Sequence, residues 1–277
     1  MSKQKTSNKR ASAIRLDVVL PVYNEEKDLV NSVTILHNFL TQHCRYNWRI
    51  IVADNASIDK TPTLGRMLEA RLERMSYLRL PYKGRGRALR TAWLESGADI
   101  VSYMDIDLST DLKCFLPMID KLAQGKADLA IGSRFKKGAR VKRGIKREVL
   151  SRGYISLIKL FFHCGFSDAQ CGFKAVNREA VETLVPLIEN QGWFFDAELL
   201  LLAELYNYKI FEYPVHWVDD PDSRVNIFNT VAEHFLGLMR MRVAISAGYV
   251  AQPTVVTPVE IPATLHDVNL SRAVLSN

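Results

Sequence analysis

Tyr103-Met104-Asp105-Ile106-Asp107-Leu108-Ser109 closes an apolar run, 98–104, interrupted by Asp99. The run reads as a buried strand ending at two carboxylates one residue apart. Carboxylates so spaced can reach one hard cation. Mg²⁺ and Mn²⁺ prefer such oxygen ligands and complete their shells with water and substrate phosphates. On this reading Asp105 and Asp107 hold a metal-bound nucleotide diphosphate. A solvated turn, or a helix N-cap at Asp107, is the plainer alternative, and the neighbouring segments weigh between them.

Upstream, strands and helices alternate. Residues 16–23 form a strand that runs into Asn24-Glu25-Glu26, where Leu29, Val33, Leu36, Phe39 and Leu40 begin a helical spacing. A second strand, 48–53, ends in Asp54-Asn55-Ala56-Ser57. Thr61-Pro62 then opens a helix over 61–74. A short strand, 77–80, leads through Lys83-Gly84-Arg85-Gly86-Arg87 to a helix over 88–96. This order predicts an α/β fold, a mainly parallel sheet flanked by helices. In such sheets ligands sit beyond the carboxyl ends of the strands, so segments 21–25, 54–57, 83–87 and 105–109 converge on one edge. Gly84 and Gly86 match neither a Walker loop nor GxGxxG.

Downstream, a helix is expected over 112–124 and a strand over 128–134, ending in Arg134. A basic loop follows, then a helix over 149–162 with Leu150, Tyr154, Leu157, Ile158 and Phe161 beside Arg147, Arg152 and Lys159. Such a helix either lies on a membrane surface or buries its apolar face in the core. Asp168-Ala169-Gln170-Cys171-Gly172 is a turn into a strand. A short helix over 178–187 follows, and Asp196 and Glu198 stand in the first turn of another. A strand over 210–215, an acidic loop to Arg224 and an amphipathic segment over 225–247 complete one domain, 14–248. A disordered basic tail, 1–13, precedes it and a poorly ordered tail, 249–277, follows.

The 277 residues are 48% hydrophobic and 24% charged, with a formal net charge of +7. That charge favours phosphate-bearing partners. Nucleic acid is disfavoured, because only Phe135 interleaves with the basic run 134–147. Cys44, Cys114, Cys164 and Cys171 form no CxxC or zinc spacing, which fits a reduced, cytoplasmic setting. The N-terminal stretch lacks a signal-like apolar region, and no run of about 20 apolar residues exists to span a bilayer.

Several stretches together resemble a known family. Val19-Leu20-Pro21-Val22-Tyr23-Asn24-Glu25, Asp54-Asn55-Ala56-Ser57-x-Asp59-x-Thr61 and Asp105-x-Asp107 are similar to inverting GT-A glycosyltransferases of family 2. Ile131-Gly132-Ser133-Arg134, Arg147-x-x-x-Ser151-Arg152 and Asp168-Ala169-Gln170-Cys171-Gly172-Phe173-Lys174 resemble the polyprenyl-phosphate sugar synthases. That group includes dolichyl-phosphate glucosyltransferases and dolichol-phosphate mannose synthases. Ser109 stands where the mannose synthases often carry a glutamine.

The resemblance implies residue roles. Pro21, Tyr23, Glu25 and Asp54 would hold the donor's base and ribose, with Lys83 and Arg87 nearby. Asp105, Ile106 and Asp107 would meet the diphosphate, the two aspartates through Mg²⁺ or Mn²⁺, and Arg224 would close over it. Arg134, Arg147 and Ser151 would hold the acceptor phosphate. Asp168, Gln170, Asp196 and Glu198 would line the sugar pocket. Asp107, Arg134, Asp168 and Glu198 would be the catalytic set. The donor is expected to be UDP-glucose, with GDP-mannose the alternative, and the acceptor a polyprenyl or dolichyl phosphate. The protein would work peripherally on the inner face of a membrane, with a membrane-protein partner or as a homo-oligomer. Two other enzyme or binding readings stay open: transfer to a sugar hydroxyl, which needs a carboxylate base such as Asp168, Asp196 or Glu198, and a non-catalytic nucleotide-sugar-binding subunit.

Overall fold

Strand β1 (Arg15–Val22) is buried along all but its first residue, as expected of a strand covered on both faces. Its side chains alternate: Leu16, Val18, Leu20 and Val22 enter one apolar core while Val19 enters the other. The computed structural model describes residues 13–219 and 227–248, with the side chains of the last helix from 230. Its elements are β1, α1 (Leu29–His43), β2 (Asn47–Asn55), α2 (Thr61–Arg71), β3 (Met75–Leu80), α3 (Arg85–Glu95), β4 (Ile100–Met104) and α4 (Phe115–Ala123). There follow β5 (Leu129–Ser133), β6 (Arg140–Lys142), α5 (Ile145–Phe162), β7 (Phe173–Asn177), α6 (Arg178–Leu184), α7 (Phe195–Leu205), β8 (Ile210–Pro214), β9 (His216–Val218) and α8 (Ile227–Ser246).

The main sheet has seven strands in the order β3-β2-β1-β4-β7-β5-β8. All neighbours are parallel except β7, which runs antiparallel to both β4 and β5. One core holds Trp93, Tyr103, Phe194 and Phe195; the other holds Leu20, Leu36, Phe115 and Phe173. The four cysteines are free.

Two features depart from the expected order. Helix α3 begins at Arg85, within the glycine-bearing loop, because the Gly86 and Arg87 N–H groups donate to the Gly192 and Gln191 carbonyls, both at 3.1 Å. A Cβ on Gly86 would stand 2.9 Å from the Gly192 carbonyl oxygen, so this close approach excludes a side chain there. Strands β6 and β9 also form a second, two-stranded parallel sheet. Asp111 N–H donates to the His216 carbonyl (3.0 Å) and Val218 N–H to the Ser109 carbonyl (2.9 Å), tying the segment after Asp107 to β9.

Among the described residues no helix is long and apolar enough to cross a membrane. The tails expected over 1–13 and 249–277 lie outside the described residues apart from residue 13.

Candidate active site

At the carboxyl ends of β1 and β2 the loops are laced together. Asn24 N–H donates to Ser57 Oγ (2.9 Å), Glu25 N–H to Thr61 Oγ1 (2.8 Å) and Ile58 N–H to Asn24 Oδ1 (2.9 Å). Pro21 pairs in register with Ala53, and Val22 with Asp54. Asp54 is fully buried; its Oδ1 accepts the Ser57 N–H at 2.8 Å and its Oδ2 accepts the Tyr77 hydroxyl. Burial, and then the Asp54 hydrogen bond and charge, push the Tyr77 hydroxyl pKa up. Lys83 Nζ lies 3.9 Å from the Tyr23 ring centroid. Arg87 stacks on exposed Tyr82, 5.4 Å from its centroid.

Asp105 follows β4 and meets the turn before β7. Its N–H donates to the Gly172 carbonyl at 3.1 Å, and a Cβ on residue 172 would stand 1.7 Å from Asp105 Oδ2. The carboxylate therefore occupies a cradle that only glycine leaves open. Ile106 sends its side chain into the core, so only its main chain is available to a ligand. Asp107 is exposed, and its Oδ1 accepts the Ser109 N–H at 2.9 Å. Leu108 between them adopts a left-handed φ of 49°, which turns the chain sharply. Among the described residues no three His, Cys, Asp or Glu side chains group to hold a metal ion. The pair suits a cation that draws its remaining ligands from phosphate and water.

Arg85, absent from the sequence-derived set, ties this pair to α7. Its Nη2 donates to Asp105 Oδ1 (2.8 Å) and its Nη1 to Asp196 Oδ2 (2.7 Å). The guanidinium stacks on Tyr103 and Trp193, 4.7 and 5.0 Å from their centroids. Asp196 Oδ1 also accepts the Tyr103 hydroxyl and pairs with the fully buried Lys174 Nζ at 3.1 Å. Burial would raise the Asp196 pKa, but Lys174 and then Arg85 hold it below the usual carboxylate range.

Three of the expected site residues are already engaged by other groups of the chain. Glu198 is placed in the fold's framework rather than free in a sugar pocket: its oxygens accept the Glu189 and Asn190 N–H groups (3.2 and 3.0 Å) and an Arg240 guanidinium N–H at 2.6 Å. Asp168 and Arg134 hold each other through Nε–Oδ2 (2.7 Å) and Nη2–Oδ1 (2.8 Å), and both are buried. Burial opposes ionisation of Asp168, yet Arg134 keeps its pKa below the usual range. The Asp168 carboxylate and most of the Arg134 fork are thus engaged with each other. Gln170 Nε2 lies 3.5 Å from His234 Nδ1, at the inner face of α8.

On α5, Arg147 Nη1 pairs with Asp219 Oδ2 at 3.1 Å, and Ser151 Oγ accepts an Arg143 Nη1 hydrogen bond at 3.3 Å. Arg224 lies outside the described residues. A cleft of about 750 Å³ is lined by Asp107, Ser109, Lys142, Trp217 and Asp219, among others, so it runs from Asp107 to the carboxylate that pairs with Arg147.

The sequence profile of glycosyl transferase family 2 matches residues 17–185. Glycosyltransferase AglD of Haloferax volcanii is 34% identical over 226 residues, covering 80% of this chain, while the chain spans 36% of AglD's length. Dolichyl-phosphate beta-glucosyltransferases are also similar. The Saccharomyces cerevisiae enzyme is 29% identical over 231 residues, 76% of this chain and 69% of that protein. Glucosyl-3-phosphoglycerate synthase from Mycobacterium tuberculosis, solved with Mn²⁺ and uridine-diphosphate-glucose, superposes with a TM-score of 0.64. It covers 86% of this chain and 82% of that one at 18% identity, a likeness that shows the shared GT-A fold. The chain belongs to glycosyl transferase family 2 and is a glycosyltransferase.

Proposed function

We propose that the protein is an inverting transferase that moves glucose from UDP-glucose to a polyprenyl or dolichyl phosphate. One observation favours a phosphate over a hydroxyl acceptor. The three carboxylates that could take a hydroxyl proton, Asp168, Asp196 and Glu198, are all committed to cations. Held below their usual range, Asp168 and Asp196 are weak bases. An ionised phosphate needs no base; it needs orientation in line with the anomeric carbon. The names of the dolichyl-phosphate glucosyltransferases among its relatives point the same way.

The residues then divide the work. Tyr23 and Lys83 line the edge where the nucleotide base and ribose rest, and buried Asp54 ties Ser57 and Tyr77 together beside it. Asp105, set in its glycine cradle, and exposed Asp107 would hold Mg²⁺ or Mn²⁺. When bound, that cation offsets the charge that develops on the departing diphosphate. Arg85 fixes the Asp105 rotamer and keeps Asp196 beside it. The link from Ser109 through β9 to Asp219 sets the spacing between donor and acceptor sides.

A membrane surface suits the exposed faces of α5 and α8. Ile145, Val149 and Leu160 on α5, and Val231, Phe235, Leu236, Met239 and Val243 on α8, are exposed. Lys146, Arg152, Lys159 and Arg242 are exposed among them, each worth about 1 kcal/mol near anionic lipid. The segment expected to present one apolar face thus presents two: Leu238 and Met241 enter the core while Phe235 and Met239 face outward. Transfer of labelled glucose to dolichyl phosphate, set against water-soluble hydroxyl acceptors, tests the assignment.

A further inference from the structure

Arg143 is a cation without a satisfied hydrogen-bonding shell. Its side chain is only 8% exposed, yet among the described residues its Nε has no hydrogen-bond partner. The nearest carboxylates stand back: Asp219 Oδ1 at 3.8 Å from Nε, and Glu148 Oε2 at 3.8 Å from Nη1. Glu148 Oε2 also lacks a hydrogen bond among the described residues, while Oε1 accepts from Arg152 Nε at 2.6 Å. A buried guanidinium N–H left unpaired is costly, and such groups in native folds call for a missing partner. Burial and then the charge of Arg134 push the Arg143 pKa down, so an added anion would relieve both.

The neighbours define what that partner is. Arg143 Nη1 and Ser151 Oγ are 3.3 Å apart, and Arg147, in the first turn of α5, meets the same Asp219 that faces Arg143. Asp219 holds both arginines at once, Oδ1 facing Arg143 and Oδ2 facing Arg147 at 3.1 Å. Two oxygens bridging two guanidinium groups is also the arrangement a phosphate adopts. Arg134, Arg143, Arg147 and Arg152 face Asp168, Asp219 and Glu148, four cations against three carboxylates, so the cluster has one positive charge to spare for an anion. A phosphate that bridges Arg143 and Arg147 must take the place that the Asp219 oxygens now hold. Asp219, less deeply buried than Asp168 and tethered by Trp217 Nε1 at 3.0 Å, is the one placed to yield.

We propose that Arg143 joins Arg147 and Ser151, the residues already expected at the acceptor phosphate, as a further ligand of that phosphate, and that the Asp219 carboxylate occupies this seat until the phosphate displaces it. The proposal rests on the reading of the acceptor as a phosphate. It adds Arg143 as a ligand and Asp219 as an internal competitor, and it leaves Arg134 chiefly to hold Asp168.

The test measures binding of farnesyl phosphate in detergent micelles, of inorganic phosphate and of UDP to the full chain, by calorimetry. Arg143→Gln should weaken farnesyl phosphate about 10- to 100-fold, the loss expected for a charge-assisted hydrogen bond, with UDP unchanged. Arg143→Lys should recover only part of that, since an ammonium cannot supply the fork. Asp219→Asn should tighten phosphate binding several-fold. Unchanged farnesyl phosphate affinity in Arg143→Gln, or weaker affinity in Asp219→Asn, overturns the proposal; the second variant serves if the first fails to fold. Equal affinity of the wild-type protein for inorganic phosphate and farnesyl phosphate, with both lost in Arg143→Gln, keeps the seat but removes the lipid from the acceptor. Absence of glucose transfer to any lipid phosphate by a protein that still binds these probes counts against the proposed activity and leaves the seat standing.

Discussion

Gly172 and Asp105 are pressed together across the β4–β7 pair: the Asp105 N–H donates to the Gly172 carbonyl at 3.1 Å, and a Cβ on residue 172 would meet Oδ2 at 1.7 Å. Gly172→Ala must therefore move the carboxylate or the turn. Misplacing a ligand by about 1 Å can cost about 100-fold in rate. The variant is expected to keep its secondary structure and lose about 100-fold in kcat, with weaker Mn²⁺ activation in a titration. Wild-type metal response would remove Asp105 from the cation site.

Arg85 bridges Asp105 and Asp196 with a side chain only 9% exposed. Removing one partner of a buried ion network leaves uncompensated charge, at a cost of about 3–5 kcal/mol. Arg85→Gln should therefore lower the denaturant midpoint strongly. Adding Asp196→Asn in the same chain should cost less than the sum of the two single changes, because the second removes the charge orphaned by the first. Additive losses in chemical denaturation would show that the two groups are not coupled.

His234 provides a pH signature. It is 5% exposed, with Nδ1 near Gln170 and its ring 4.7 Å from that of Tyr154. Burial lowers its pKa, against the opposing pull of Glu233 and Asp196. The unfolded chain, with a histidine pKa of about 6.5, takes up the proton first. The stability from this group is thus present above about pH 6.5 and lost as pH falls through the depressed folded value. Thermal melts of the wild type and of His234→Gln should diverge in slope between about pH 7 and 5, the wild type falling more steeply. Parallel curves would exclude this group.

The outward stripe of α8 should matter to membranes and not to folding. Phe235 and Leu236 are 47% and 67% exposed. The double change Phe235→Asp, Leu236→Asp should leave the melting temperature within a few degrees, as exposed substitutions usually do. Co-sedimentation with vesicles containing phosphatidylserine should drop about tenfold or more, from lost apolar contact and added negative charge. Undiminished sedimentation would place the membrane contact elsewhere.

The parallel strands were legible because burial on both faces makes them near-continuous apolar runs, as in 16–22 and 100–104. The position of Asp105 and Asp107 just past a buried strand was legible because the apolar run stops at Met104. The antiparallel insertion of β7 was not, since pairing direction depends on partners far along the chain. Strands β6 and β9, three residues each, are too short to show a period. Arg85 was hidden between two more conspicuous cations, Lys83 and Arg87; its partners lie 20 and 111 residues away. The flanking Gly84 and Gly86 were the available sign that another backbone approaches there. Arg143 sat within a basic run, where charge alone does not separate a buried guanidinium from a solvated lysine.

The most direct measurement follows labelled glucose from UDP-glucose in the presence of dolichyl phosphate and Mg²⁺ or Mn²⁺, with the product identified by mass spectrometry. A lipid-linked glucosyl phosphate in the β configuration, abolished by a chelator and by Asp105→Ala, is the predicted result. Label recovered only on hydroxyl acceptors, or lipid product formed equally well after chelation or in the Asp105→Ala chain, would contradict the account.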